Sequence, residues 1–167
     1  MKEKNSQTEK LFRIIGASNH SEEEREATDF YSTDPDCVLD LLEVETFGEK
    51  VKVKAYKVEP HLFGTCPVFL LTTDIEGNSD WARRISHKLY DGDERIRIAQ
   101  ETVLGIGGVR ILQAVGYNFD VIHMNEGHAL PAAFELLRQY NGDLKAVRRK
   151  TVFTTHTPVP AGNEVHW

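Results

Sequence analysis

Hydrophobic and polar positions along the 167-residue chain fall into two regimes. Up to about residue 50 there is little order: a polar stretch over residues 1–10, a short apolar patch at 11–15, and the acidic run Glu22-Glu23-Glu24-Arg25-Glu26. From Val51 the pattern sharpens. Val51, Val53 and Ala55 alternate with Lys52 and Lys54 at the period of two expected of a half-solvated strand near a sheet edge. A turn-prone stretch at 59–67 leads into residues 68–73, an apolar, β-branched run that predicts a strand buried on both faces. Asp80 is placed to cap a helical segment over 81–85. After Asp91-Gly92-Asp93, the residues Ile96, Ala99, Val103, Ile106 and Val109 recur at three- and four-residue steps, which predicts one amphipathic helix running through Gly105. Residues 120–124 read as a short strand, 131–140 as a helix with Pro131 in its first turn, and 151–155 as a strand that stops at His156.

A strand, a helical crossover and a second strand form a βαβ unit. The expected fold class is therefore α/β, a mostly parallel sheet with helices flanking both faces. Ligands of such sheets collect beyond the carboxyl ends of the strands. Two segments occupy that position here, residues 125–128 and 156–162.

Composition narrows the function classes. Hydrophobic residues make up 40% and charged residues 28%, as in soluble globular chains, and no apolar run is long enough for a membrane span. The start of the chain leads into no signal-like apolar core, so the expectation is a cytoplasmic protein. The net charge of −6 argues against nucleic acid as a partner. It is unevenly spread: residues 1–50 carry −7 and residues 51–167 carry +1. The expected organisation is thus an acidic, poorly ordered or loosely packed arm over 1–50 and a folded domain over 51–167. Cys37 and Cys66 have no partner at metal-ligand spacing and read as two reduced, partly buried thiols.

Several motifs carry chemistry. Gly105-Ile106-Gly107-Gly108-Val109-Arg110 has Arg110 where a dinucleotide fingerprint needs its third glycine, and it follows a helical pattern rather than a strand. Its glycines are better explained by the close approach of another backbone. In His123-Met124-Asn125-Glu126-Gly127-His128 the histidines are five apart, about 140° around a helix, so they do not share the face that a zinc-binding helix requires. As a loop at a strand's end, Asn125, Glu126 and His128 either grip a polar ligand or cap the following helix. His156 stands between a strand and the proline-rich turn Thr157-Pro158-Val159-Pro160-Ala161-Gly162, a setting for either a preorganised site or a structural histidine. Arg148-Arg149-Lys150 reads as a solvated charge run.

Three blocks in order, residues 101–110, 123–129 and 152–162, resemble the α-glucan (glycogen, starch, maltodextrin) phosphorylases in their shorter bacterial and archaeal form. The similarity runs from about Val51 to Trp167. It implies a partial Rossmann-like domain, the N-terminal half of a GT-B architecture, over 51–167. It also implies cleavage of terminal α-1,4-glucosidic bonds by phosphate to give glucose 1-phosphate, with pyridoxal phosphate as cofactor of the full-length enzyme and a homo-oligomeric assembly. By motif, His156 is the catalytic-site residue beside the transferred sugar, and Asn125, Glu126 and His128 bind substrate. Lys145 and Lys150 match no cofactor motif, and Leu130-Pro131 departs from the family's pattern. The expectation is an internal piece of a phosphorylase that lacks the C-terminal, cofactor-bearing domain, holds no cofactor and is inactive alone. The alternatives are a non-catalytic glucan-binding remnant and a glycogen-synthase-like GT-B transferase.

Overall fold

The computed structural model describes residues 38–58, 66–89 and 91–156, without the side chains of residues 38–41. The acidic arm as far as Cys37, the stretch 59–65 and the proline-rich turn from Thr157 lie outside the described residues. In order, the elements are β1 (Val38–Thr46), β2 (Glu49–Val58), β3 (Val68–Thr72), α1 (Asp80–Arg84), α2 (Glu94–Thr102), a π-helical turn (Val103–Gly107), α3 (Gly108–Ala114), β4 (Ile122–Asn125), a 3-10 turn (Gly127–Ala129), α4 (Pro131–Gln139), α5 (Leu144–Lys150) and β5 (Thr151–Thr154). The fold is mixed α/β, with β1-β2-β3 as an antiparallel sheet and β4-β5 as a parallel pair.

Residues 1–39 and 55–70 group as one compact unit, and 40–54 with 71–167 as a second. In the first, the described residues are mainly the end of β2, where Ala55 is buried, and the half-buried start of β3. Cys66 is exposed there, which corrects the expectation of a partly buried thiol. The remaining description concerns the second unit.

The strand β1 had no counterpart in the sequence reading. Its inward residues Val44 and Thr46 are buried while Glu43 and Glu45 face solvent, a period-two pattern set among acidic neighbours. A two-residue turn joins β1 to β2. Phe47 (φ 50°) and Gly48 (φ 76°) both take left-handed backbone, the geometry of the primed turn that matches the twist of a hairpin. Glycine does this freely; Phe47 is held there by packing. Its ring meets Trp81 edge-on at 6.1 Å, and the Arg95 guanidinium lies 5.0 Å from one ring and 4.8 Å from the other. The order β1-β2-β3 makes β2 the middle strand among the described residues rather than an edge. Likewise, the side chains of β3 are half-buried, not buried on both faces.

Helix starts follow side-chain chemistry. Ser79, not Asp80, caps α1: its Oγ accepts the Ala82 N–H at 3.1 Å, leaving Asp80 as a first-turn acid. Asp93 caps α2 and Asp143 caps α5, each accepting a backbone N–H at 2.9 Å. Arg148, Arg149 and Lys150 fill the last turn of α5, where basic charge favours the helix's negative end.

The long helix expected from Ile96 to Val109 is present as α2, the π-turn and α3, one path from Glu94 to Ala114. The π-turn falls over Val103–Gly107. There the chain packs against the start of α4: a Cβ on Gly105 would stand 2.5 Å from the Ala132 nitrogen and 2.9 Å from the Pro131 carbonyl carbon. Gly105 is therefore a point of backbone-to-backbone contact. Gly105→Ala is expected to destabilise the fold by about 1–3 kcal/mol, because neither helix can yield without shifting. Gly108→Ala is the control, since no atom lies within 4 Å of a Cβ built there. Thermal melts of the two variants check this; equal melting temperatures would refute the contact.

Val109, Met124, Ala132, Leu136 and Val147 form a core between α3, α4, α5 and one face of β4. The opposite face of the β4-β5 pair carries His123, Asn125 and Val152, all exposed, and Phe153, level with Met124 in the register, is exposed as well, so among the described residues the helical core covers one side of β4.

Candidate functional site at the tips of two parallel strands

The register of the parallel pair sets the site. Ile122 lies opposite Thr151 and Asn125 opposite Thr154, so β4 and β5 end side by side. Beyond the last rung, the Glu126 N–H donates to the Thr154 carbonyl at 2.8 Å, extending the ladder by one bond. The chain then turns sharply. Glu126 has φ 57° and ψ −168°, a region that is essentially glycine's own and costs a non-glycine residue roughly 1–3 kcal/mol.

What holds Glu126 there is the neighbouring strand's exit. Its Oε1 accepts the backbone N–H of His156. The His156 ring turns back across the pair, with Nε2 at 2.7 Å from the Asn125 amide oxygen. An amide oxygen only accepts, so this contact is a hydrogen bond when Nε2 carries a proton. On the same face His123 Nε2 meets the Thr154 hydroxyl at 2.6 Å. Asn125, Glu126 and His156 are thus joined by hydrogen bonds across 31 or 30 residues of chain. His128 is placed differently. It lies on the 3-10 turn, and its Nδ1 faces Glu101 of α2 at 3.6 Å.

The tips combine a carboxylate, an amide and imidazole nitrogens on rigid elements, partly exposed to solvent. Such a set binds hydroxyl-rich ligands through several directed hydrogen bonds. Among the described residues, no group of three or more His, Cys, Asp or Glu side chains is arranged to hold a metal ion. No described helix is long and apolar enough to cross a membrane.

The sequence reading missed a second polar feature. A cavity of about 360 Å³ between β1 and helices α3 and α4 is lined by Glu43, Lys50, Arg110, Phe134, Glu135 and Arg138. Glu135 is buried and binds Arg110 (2.9 Å), Arg138 (2.6 and 3.2 Å) and Gln139 (3.0 Å). Burial acts to raise its pKa, but these hydrogen bonds outweigh it and hold the carboxyl at about 2.

Comparison with known proteins bears on the family of the chain. The chain is 40% identical over 131 residues to the maltodextrin phosphorylase of Thermococcus litoralis, a match covering 74% of the chain. It is 44% identical over 114 residues to the glycogen phosphorylase of Mycobacterium tuberculosis, covering 59% of the chain. Over this span the chain belongs to the family of maltodextrin and glycogen phosphorylases. An uncharacterized protein of Methanocaldococcus jannaschii is 52% identical over 114 residues, or 68% of the chain. The chain spans only 21%, 15% and 13% of the lengths of the archaeal protein and the T. litoralis and M. tuberculosis phosphorylases, respectively. No family model matches the chain, and no solved structure matches it. Among the polar contacts that the sequence reading did not anticipate are those of Glu135 with Arg110 and of Glu101 with His128.

Proposed function

We propose that this chain supplies one wall of the sugar site of an α-glucan phosphorylase, within the N-terminal Rossmann-like half of a GT-B enzyme. The observation that carries the proposal is the hydrogen-bonded set Asn125, Glu126 and His156 at adjacent parallel strand tips, in a chain similar to phosphorylases over most of its length. The reaction moves a terminal glucosyl unit from an α-1,4-glucan to inorganic phosphate, giving glucose 1-phosphate. His156 acts at the transferred sugar: its Nδ1 accepts a hydroxyl hydrogen bond, and its main-chain carbonyl sits beside the positive charge that develops at the anomeric carbon. Asn125 holds the ring, Glu126 fixes the backbone, and His128 binds substrate beside them. Preorganised dipoles of this kind act most strongly in the transition state, where charge has formed.

Pyridoxal phosphate, implied for the whole enzyme, does not fit the described residues. None of the described lysines is buried: Lys50, Lys88 and Lys145 are exposed, and Lys150 ends α5. In this reading the cofactor is held elsewhere in a longer, cytoplasmic and homo-oligomeric protein. The test is to incubate the complete protein with maltodextrin and phosphate and assay glucose 1-phosphate. Its formation is the expected result. Turnover of a nucleotide sugar in its place would assign the site to a synthase-like transferase, and glucan binding without turnover would assign it to a non-catalytic module; either would overturn the proposal.

A further inference from the structure

We infer that Thr154 is a positioning residue for His156, anchored by a side-chain rung to His123 on the exposed face of the β4-β5 pair. The inference rests on the reading above, in which His156 acts at the transferred sugar. Three observations converge on Thr154. First, the register places it directly opposite Asn125, the residue whose amide oxygen meets the His156 ring. Second, Thr154 holds β4 with both its main chain and its side chain: its carbonyl accepts the Glu126 N–H at 2.8 Å, and its hydroxyl lies 2.6 Å from His123 Nε2. Third, the two side-chain rungs on this face have the same offset. His123 lies opposite Val152 but reaches Thr154, two residues on; Asn125 lies opposite Thr154 but reaches His156, again two residues on. Thr154 therefore belongs to one rung and stands at the foot of the next.

The end of the ladder explains what the rung does. In a regular parallel pair, the bond from the Glu126 N–H to the Thr154 carbonyl is followed by one from the His156 N–H to the main-chain carbonyl of Glu126. Here the positive φ of Glu126 turns the chain, and its carboxylate takes that N–H instead. Among the described residues, the Thr154 carbonyl is thus the last main-chain acceptor of the ladder, and beyond it the strand tips are joined through side chains. A β-branched side chain whose hydroxyl is engaged keeps one χ1 rotamer, so the bond to His123 fixes the shape of the residue opposite Asn125 and two before His156. Removing the hydroxyl leaves the carbonyl bond to Glu126 in place. The loss then falls on the orientation of the His156 ring rather than on strand pairing.

The experiment has two arms. Thr154→Val keeps the branched shape and removes the hydroxyl, whereas Thr154→Ser keeps the hydroxyl. In the complete enzyme, Thr154→Val should lower kcat about fivefold, the worth of one hydrogen bond, and move KM less than about twofold; Thr154→Ser should stay within about twofold of native in both. Combining Thr154→Val with His156→Ala should cost no more than His156→Ala alone, the coupling expected of one residue acting through another. In the full chain, two-bond 1H–15N signals of the His156 ring should shift or broaden in Thr154→Val and stay native in Thr154→Ser. His123→Phe, at an exposed position, breaks the same rung from the other strand and should reproduce the change in the His156 signals, which decides the matter should Thr154→Val not fold. Unchanged His156 signals in Thr154→Val or His123→Phe, a Thr154→Ser variant as impaired as Thr154→Val, or losses that add in the double variant would overturn the inference. Should the native enzyme fail to phosphorolyse glucan, the proposed function falls, and the spectra alone decide whether Thr154 holds the His156 ring.

Discussion

Glu135→Leu should lower the melting temperature at pH 7 by roughly 6–12 °C, although leucine fills similar space. The carboxylate is 2% exposed and accepts from two guanidinium groups and one amide. Arg110 also donates to the Glu43 carbonyl at 2.7 Å, so Glu135 links α4 through Arg110 to the β1 edge. Its pKa, about 2 against an ordinary 4.5, corresponds to about 3 kcal/mol of stability at neutral pH. For a protein of this size each kcal/mol is worth roughly 2–4 °C. The folded pKa lies below the unfolded one. The stabilisation is therefore complete above about pH 4.5 and is lost as pH falls through about 2. Melts of native and variant protein should accordingly differ at pH 7 and converge near pH 2. A gap of equal size at both would mean that packing, not charge, supplies the effect.

His156→Ala in the complete enzyme should depress kcat about a hundredfold while moving KM less than about threefold. The asymmetry comes from where the contacts act. The imidazole is held by Asn125 at 2.7 Å and the backbone N–H by Glu126, so the ring is oriented before substrate arrives. Under the proposed function its hydrogen bond would strengthen as charge builds at the sugar, and truncation would remove that gain without emptying the binding cleft. Steady-state kinetics over a range of maltodextrin concentrations read both constants. A rise in KM with kcat unchanged would place His156 in ground-state binding only.

The two strongest elements of the fold were legible because periodicity reports burial. Ile96, Ala99, Val103 and Val109 all lie on one helical path and are buried, except that the path contains a π-turn. A three- and four-residue spacing tolerates one inserted residue in the winding, so the pattern could not reveal it. The parallel β4-β5 pair followed from chain order, since two strands joined through helices can pair side by side. In contrast, β1 was hidden: Glu43 and Glu45 alternate properly with Val44 and Thr46, but they lie within a run of acidic residues that reads as an arm. Helix α4 departs from hydrophobicity in the opposite sense. Its sequence places Phe134 beside Glu135, and hydrophobicity alone would bury the phenylalanine; in the fold Phe134 is 60% exposed and Glu135 is buried. Burial of the carboxylate is tolerable only because Arg110, 25 residues away, and Arg138 approach it.

The amino-acid sequence alone determined most of the segments that wind or extend, which loops carry hydrogen-bonding side chains, and the resemblance to the phosphorylases. Those properties are local: they depend on side-chain type, spacing of a few residues and short motifs. The tertiary structure alone decided that the Glu126 carboxylate meets the His156 backbone, that the Asn125 amide meets the His156 ring, and that Glu101 faces His128. Each of these joins residues 27 to 31 positions apart. Their meeting depends on strand register and on how closely two helix backbones approach at Gly105, quantities that no run of neighbouring residues encodes.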